Sequence, residues 1–200
     1  MTRYSYNKEI YRLVENGWKV LDVGCANGCL GERLKADKQC FVVGVEIDKD
    51  RANQAKNRLD AVFNFDVELL EDLVDYAPFD AVILADSLEH LRYPVTTLIQ
   101  LSKYLNADGY FLISLPNVAN WIIRLRLLFG KFDYQESGIL DKSHLHFFTL
   151  ASAKKLVQEA GFEIVCIRNY NEIMKLGSLW KGLFAHDFII KARKLHKLRN

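Results

Sequence analysis

Proline is scarce in this 200-residue chain, with only Pro78, Pro94 and Pro116, and there is no Pro-rich, Ser-rich or repetitive tract. No flexible linker has a place to sit, so a single domain over residues 1–200 is expected, at a length for which one core suffices. Cysteine is also rare: Cys25, Cys29, Cys40 and Cys166 make no Cys-x-x-Cys pair and no Cys/His spacing of the tetrahedral zinc type. Reduced thiols and no metal site are the expectation. No apolar run reaches the ~20 residues that span a bilayer. The opening MTRYSYNKEIYRLVENGW has scattered charges in place of a signal-peptide apolar stretch. A soluble, cytoplasmic protein with no membrane span is expected. Strong charge of one sign is absent too, since the net charge is +2. Five basic residues (Lys191, Arg193, Lys194, Lys197, Arg199) follow Phe188 without an acid, leaving 22 basic against 25 acidic residues elsewhere. A basic tail over residues 194–200 is most simply a solvated terminus.

What the chain does have, from Lys19 onward, is an alternation of short apolar runs with helix-periodic stretches, which marks an α/β fold of parallel strands joined by crossover helices. Strands are expected at Lys19–Val23, Phe41–Glu46, Ala61–Phe65, Ala81–Ala85, Tyr110–Leu115, Glu163–Asn169 and Phe188–Ala192. Helices are expected at Leu30–Ala36, Lys49–Leu59, Val95–Leu105 and Ala151–Ala160, the last stopped by Gly161. Residues 1–17 should hold a leading helix, with Ile10, Leu13 and Val14 on one face, and Asn106-Ala-Asp-Gly109 a tight turn. Residues 116–143 are too long for a plain connection. Trp121, Ile122, Leu125, Leu128 and Phe129 recur there at helical spacing, which points to an inserted helix and loop that either covers a site or packs on the sheet edge.

The most informative segment is Lys19-Val-Leu-Asp-Val-Gly-Cys-Ala-Asn-Gly-Cys-Leu-Gly31, a buried strand that runs into small residues and then a helix. Gly24, Ala26 and Gly28 allow backbone N–H groups to approach a ligand, and Asp22 sets a carboxylate at the strand's carboxyl end, where open α/β sheets bind ligands. A dinucleotide loop would carry Gly-x-Gly-x-x-Gly, but Ala26 and Cys29 occupy its second and third glycine positions. A second strand ends in Glu46, eighteen positions after Gly28, where a carboxylate can accept both hydroxyls of a ribose. A third supplies Asp66 in Phe-Asn-Phe-Asp-Val67, and a fourth, Phe79-Asp-Ala-Val-Ile-Leu-Ala-Asp86, ends in Asp86.

The pattern Asp22-x-Gly24-x-Ala26-x-Gly28, with the three acids that follow in order, resembles class I S-adenosylmethionine-dependent methyltransferases. The resemblance runs from about Trp18 to Arg193 and includes Leu105-Asn-Ala-Asp-Gly-Tyr-Phe-Leu-Ile-Ser-Leu-Pro-Asn117. It implies a single Rossmann-like domain with a seven-stranded, mostly parallel sheet in the order 3-2-1-4-5-7-6, helices on both faces and the last strand antiparallel. The cofactor implied is S-adenosylmethionine, with S-adenosylhomocysteine as product. It would be held by Asp22, Gly24, Cys25, Ala26, Gly28, Glu46, Ile47, Asp66, Val67, Leu84, Ala85 and Asp86: Glu46 on the ribose, Asp66 and the Val67 N–H on adenine, and Leu84, Ala85 and Asp86 beside the sulfonium.

Histidine titrates in the range useful for proton transfer, so His90, His144 and His146 are the candidate catalytic residues, with Asp86, Glu89 and Asp141 as carboxylate options. Ser-Leu-Glu-His-Leu91 resembles small-molecule methyltransferases of the quinone-biosynthesis and cell-surface-glycan type. Strand-like alternation in Asp141-Lys-Ser-His-Leu-His-Phe-Phe-Thr149 would send His144 and His146 to one face, with no third metal ligand close in sequence. Leu-Pro-Asn-Val-Ala-Asn-Trp121 resembles glycan-associated methyltransferases, which implies a small acceptor such as a sugar, nucleotide sugar or phenol. Arg124 and Arg126 in the insertion suit an anionic acceptor. Three alternatives stay open. The same region resembles accessory proteins of methionine biosynthesis that keep this fold without catalysis. A nucleic-acid methyltransferase is disfavoured because no Asn-Pro-Pro-Tyr-like segment follows the fourth strand and basic residues do not gather near the expected mouth, so no nucleic-acid partner is expected. A nicotinamide oxidoreductase lacks both its glycines and a Tyr-x-x-x-Lys pair.

Overall fold

The structure is a computed structural model and describes residues 6–69, 73–170 and 181–195. Its elements run α1 (Lys8–Leu13), β1 (Lys19–Val23), α2 (Cys29–Lys38), β2 (Phe41–Val45), α3 (Lys49–Ala55), β3 (Ala61–Phe63), β4 (Phe79–Ala85), α4 (Pro94–Leu101), β5 (Leu105–Pro116), α5 (Trp121–Leu128), α6 (Leu150–Glu159), β6 (Phe162–Tyr170), α7 (Lys181–Phe184) and β7 (Asp187–Lys194). The seven strands form one sheet in the order β3-β2-β1-β4-β5-β7-β6. β7 is antiparallel to both neighbours, and the other pairs are parallel. The fold and strand order expected from the resemblance are those observed.

The central strands read as unbroken apolar runs because both faces of the sheet are covered. Leu21, Val23, Val82, Leu84, Phe111 and Ile113 point into the larger core, against Leu98 and Leu101 of α4 and Leu156 and Val157 of α6. Their neighbours Val20, Ala81, Ile83 and Leu112 point the other way, against Ile10 and Leu13 of α1 and Leu30 and Leu34 of α2. Gly31 and Gly44 keep α2 and the α3 segment tight on β2, since a Cβ on Gly31 would lie 2.3 Å from Leu59 Cδ2 and one on Gly44 would lie 2.6 Å from Cys25 Sγ.

Local signals set the helix ends. Asp48 caps α3 by accepting from Asp50 N and Arg51 N, Thr149 and Ser152 form a reciprocal capping box on α6, and Gly161 follows α6 with φ +87°. Several expected bounds shift. Asn106–Gly109 is not a free turn but part of a β5 that starts at Leu105, because Phe79 pairs with Leu105 across a register irregularity and Asn106 Nδ2 donates to Asp80 Oδ1 at 2.6 Å. The helix expected to reach Leu59 stops at Ala55, and β3 stops at Phe63, which leaves Phe65 and Asp66 in the segment beyond it. Residues 196–200 of the basic tail lie outside the described residues.

Candidate functional site

β1 pairs with β2 on one side and β4 on the other, so the sheet order reverses at β1 and the chain leaves the two sides in opposite directions. A crevice opens at such a reversal beyond the carboxyl ends of the strands. Here it is a cleft of about 580 Å³. Of the expected cofactor residues, Gly24, Ala26, Glu46, Ile47, Asp66, Val67, Ala85 and Asp86 line it. Asp22, Cys25, Gly28 and Leu84 do not; they stand behind the wall. Of the three histidines only His90 lines it.

The wall begins with the loop after β1. Gly24 has φ +71°, and a Cβ there would lie 2.5 Å from the Ser87 hydroxyl, so the backbone passes where no side chain fits. Ser87 fixes that approach by donating to Val23 O at 2.9 Å and Ala85 O at 3.2 Å, joining the ends of β1 and β4. Glu46, buried at the end of β2, accepts from Ala26 N at 2.8 Å through one carboxylate oxygen and from Asp48 N at 2.9 Å through the other. An amide that would meet a phosphate in a dinucleotide loop is thus given to a carboxylate. Asp22 is buried just behind, and burial followed by the charge of Glu46 pushes its carboxyl up to about 7. Burial, with the charges of Asp22 and Glu46, also pushes the Cys25 thiol up. A diphosphate would face this pair of acids, whereas a cationic ammonium or sulfonium is complementary to it.

Beyond β3, Asp66 Oδ1 accepts from Glu68 N at 2.9 Å and turns the chain into a short 3₁₀ segment that starts at Val67. Glu68 in turn accepts from Arg92 N at 3.1 Å and Tyr93 N at 2.7 Å, which ties this side of the cleft to the approach to α4. After β4, Asp86 adopts φ +52°, uncommon for a residue with a side chain and typical of sites that aim one. The Ser114 hydroxyl of β5 holds it, donating to Asp86 Oδ1 while accepting from Asp86 N. Desolvation raises the Asp86 carboxyl even though the Ser114 hydrogen bond opposes the shift.

The next turn places Glu89 and His90 in succession. Glu89 is buried to 1% exposure, and neither of its carboxylate oxygens has a hydrogen-bond partner. Burial, with Asp86 next, pushes it up to about 8. The segment after the insertion crosses here: Glu89 O accepts from Leu145 N at 2.8 Å and His146 N at 3.1 Å. Residues 142–147 form turns and irregular backbone, so the alternation expected to put His144 and His146 on one face is absent. The two backbone bonds to Glu89 aim them apart. His144 meets His90 edge to face with ring centroids 4.8 Å apart, His146 lies beside Phe148 at 6.1 Å, and Leu145 enters the cleft.

The insertion has a small core of its own, Ile123, Ile139 and Leu140 with Val118, Phe132 and Phe147 around it. Asn117 and Asn120, both buried, each donate to Ala185 O at 2.9 Å, so Leu-Pro-Asn-Val-Ala-Asn holds this segment to the turn before β7. Arg124 and Arg126 are not at the cleft: Arg124 Nε donates to Ala119 O at 2.7 Å and Arg126 pairs with Asp133 at 3.2 Å. The arginines on the cleft wall are Arg51 and Arg92, which sequence reasoning missed along with Ser87, Glu68 and Leu145. Ser87 follows directly on the Ala85-Asp86 pair and could have been read from it. Arg51 and Arg92 carry no motif.

The family described as methionine biosynthesis protein MetW matches residues 4–190. The chain belongs to the MetW family. This MetW-family chain is also 32% identical over 109 residues to a ubiquinone biosynthesis O-methyltransferase of Neisseria meningitidis, covering 50% of this chain and 45% of that protein. It is 29% identical over 112 residues to the mitochondrial one of Candida albicans, covering 52% and 34%. The chain thus spans less than half the length of these curated relatives. Among solved structures, a SAM-dependent methyltransferase of Methanosarcina mazei superposes with TM-score 0.70 at 18% identity, covering 97% of this chain and all of that one. The magnesium protoporphyrin IX methyltransferase of Synechocystis, solved with bound SAM, superposes with TM-score 0.59 at 17% identity, covering 90% and 71%. The MetW-family chain therefore has the class I SAM-dependent methyltransferase fold. Among the described residues, no helix is long and apolar enough to cross a membrane.

Proposed function

We propose that the cleft binds S-adenosylmethionine and that the chain passes its methyl group to a hydroxyl of a small acceptor, such as a sugar, nucleotide sugar or phenol. The observation that carries this reading is the Glu46 carboxylate, held between two backbone amides and facing the cleft with Asp22 behind it. Each oxygen of Glu46 has one amide partner and keeps a lone pair for a ribose hydroxyl. Asp66 and the Val67 amide take the adenine edge, and Ile47, 66% exposed, lies open to its face. Ala85 and Asp86 border the reacting centre, with Leu84 behind them, while Cys25 and Gly28 shape the loop from its far side.

The bound cofactor supplies a methyl carbon already activated by a sulfonium, which departs as a neutral thioether. The chain's own contribution is therefore alignment of the acceptor oxygen and management of its proton. His90, exposed in the cleft wall one turn beyond Asp86, is the side chain set to handle that proton. Calorimetric titration with S-adenosylmethionine and S-adenosylhomocysteine, with NAD as control, tests the reading: micromolar binding of the first two alone is expected.

A second reading has the chain as a non-catalytic accessory protein of methionine biosynthesis. It is favoured by the family's description and by an outward face of α5 and its end, where Leu125, Leu128 and Phe129 are 48%, 77% and 70% exposed. A chain that binds neither ligand but co-purifies with a partner enzyme would move this reading to the front.

A further inference from the structure

The segment after the insertion brings His144 to the adjacent Glu89 and His90 of the turn after β4, from more than fifty positions away. Glu89, His90 and His144 each offer one ligand atom, and those atoms all lie within 4.8 Å of one another. We propose that these three side chains form a divalent transition-metal site, of the zinc class, on the acceptor side of the cleft.

The first support is the state of Glu89. A carboxyl group at 1% exposure with no partner on either oxygen is costly whether ionised or neutral, and buried acids are normally paired, hydrogen-bonded or bound to a cation. His144 Nε2 is the cationic-capable atom facing it, 3.9 Å from Glu89 Oε1 and too far for a hydrogen bond. Two ligands about 2.1 Å from a shared zinc ion are about 3.4 Å apart in a tetrahedral site and at most about 4.2 Å, so that gap takes an ion after closing by about half an ångström. The widest separation in the trio, at most 4.8 Å, closes to such an edge with a movement of about 1.4 Å shared among the three side chains.

The second support is the outer contacts of the histidines. His144 Nδ1 meets Ile139 O at 3.2 Å and His90 Nδ1 meets Ser143 O at 3.2 Å. A carbonyl accepts only from N–H, so each contact places the proton on Nδ1 and leaves Nε2 with its lone pair. Metal-bound imidazoles are oriented in this way. Two imidazoles and one carboxylate favour zinc-class ions over magnesium or calcium, which take oxygen ligands. Three protein ligands leave a position open, and His90 connects it to the cleft.

The role of that open position rests on the methyl-transfer reading. An acceptor hydroxyl bound there would become more acidic, give its proton to solvent water at the open cleft and present an alkoxide or phenolate oxygen to the methyl carbon, whose bond to sulfur breaks as the thioether leaves. With Nε2 on the ion and Nδ1–H on Ser143 O, His90 would act on the acceptor's proton through the ion, as a ligand, and not as a base.

The test uses tag-free full-length chain stripped with a chelator, titrated with Zn²⁺ and, separately, with Co²⁺ while its visible absorption is followed. One equivalent of Zn²⁺ at micromolar affinity or tighter, Co²⁺ bands of a low-coordinate site, and no binding of Mg²⁺ are expected. Glu89→Gln and the exposed-site variant His90→Ala should each weaken Zn²⁺ at least tenfold, with circular dichroism confirming that both fold. Absence of stoichiometric Zn²⁺ binding, or unchanged affinity in both folded variants, overturns the proposal. S-adenosylmethionine titration of the same samples separates the readings, because cofactor binding without zinc binding sinks the metal site alone.

Discussion

The Ala26 N–H donates to Glu46 Oε2 at 2.8 Å, binding the loop after β1 to the end of β2 across the cleft. One carboxylate both shapes the loop and faces the ligand. Removing it should therefore act on fold and binding together. Glu46→Ala is expected to lower stability by about 1–3 kcal/mol, the range for leaving buried amides without a charged partner, and to weaken S-adenosylmethionine at least tenfold. Glu46→Gln keeps an acceptor oxygen and should recover more of the stability than of the affinity. Urea unfolding beside calorimetry reads both quantities.

Asp22 gives a pH signature with a fixed sign. Its folded carboxyl titrates near 7, above its ordinary value of 3.8, because burial and Glu46 disfavour its charge. The native state then holds a proton that the unfolded chain has released, so this group's contribution to stability falls as pH rises from about 4 to 7 and is level above that. The full shift corresponds to about 4 kcal/mol at 1.36 kcal/mol per pH unit. Asp22→Asn removes the effect. Its stability relative to the original chain should rise between pH 4.5 and 7, in urea melts at several pH values, and a constant difference would contradict the assignment.

Gly24 and Ser87 should be coupled. Gly24→Ala adds a Cβ 2.5 Å from the Ser87 hydroxyl at a backbone angle that side chains rarely adopt. A loss of about 1–3 kcal/mol is expected from strain of this kind. Ser87→Ala in the same chain removes the clash but not the left-handed backbone, so the double variant should regain part of the loss. Simple additivity in a double-mutant cycle would show that the two do not meet.

The seven strands, most of the helices and the acids at the strand ends were legible in the sequence because each rests on local chemistry, whereas the strand order and the helices on both faces came only from the resemblance to class I methyltransferases. Apolar runs mark buried strands, Asp48 and Gly161 mark helix ends, and Glu46 and Asp66 follow strands at fixed spacing. The convergence of Glu89 with His144 was not legible. It depends on backbone bonds from Leu145 and His146 to Glu89 O, contacts between residues more than fifty positions apart that no periodicity encodes. The same holds for the insertion arginines. Their charge suited an anionic acceptor, but whether they met the cleft or, as found, Ala119 O and Asp133 depends on how the insertion folds on its Ile123, Ile139 and Leu140 core.

His90 should separate chemistry from cofactor binding. His90→Ala is expected to lower methyl-transfer turnover by about 10²–10⁴, the range for losing a proton-handling group, while S-adenosylmethionine affinity stays within about threefold. Steady-state rates against a phenolic or nucleotide-sugar acceptor, with calorimetry on the same preparation, give the split. Unchanged turnover would remove His90 from the reaction.

The most direct measurement is the titration of the original chain and Glu46→Ala with S-adenosylmethionine, with NAD as control. Micromolar binding that is at least tenfold weaker in a folded Glu46→Ala, and no response to NAD, is the result expected from an acidic cleft built for a cationic cofactor. No binding in the original chain, or equal binding in the two, would contradict that account.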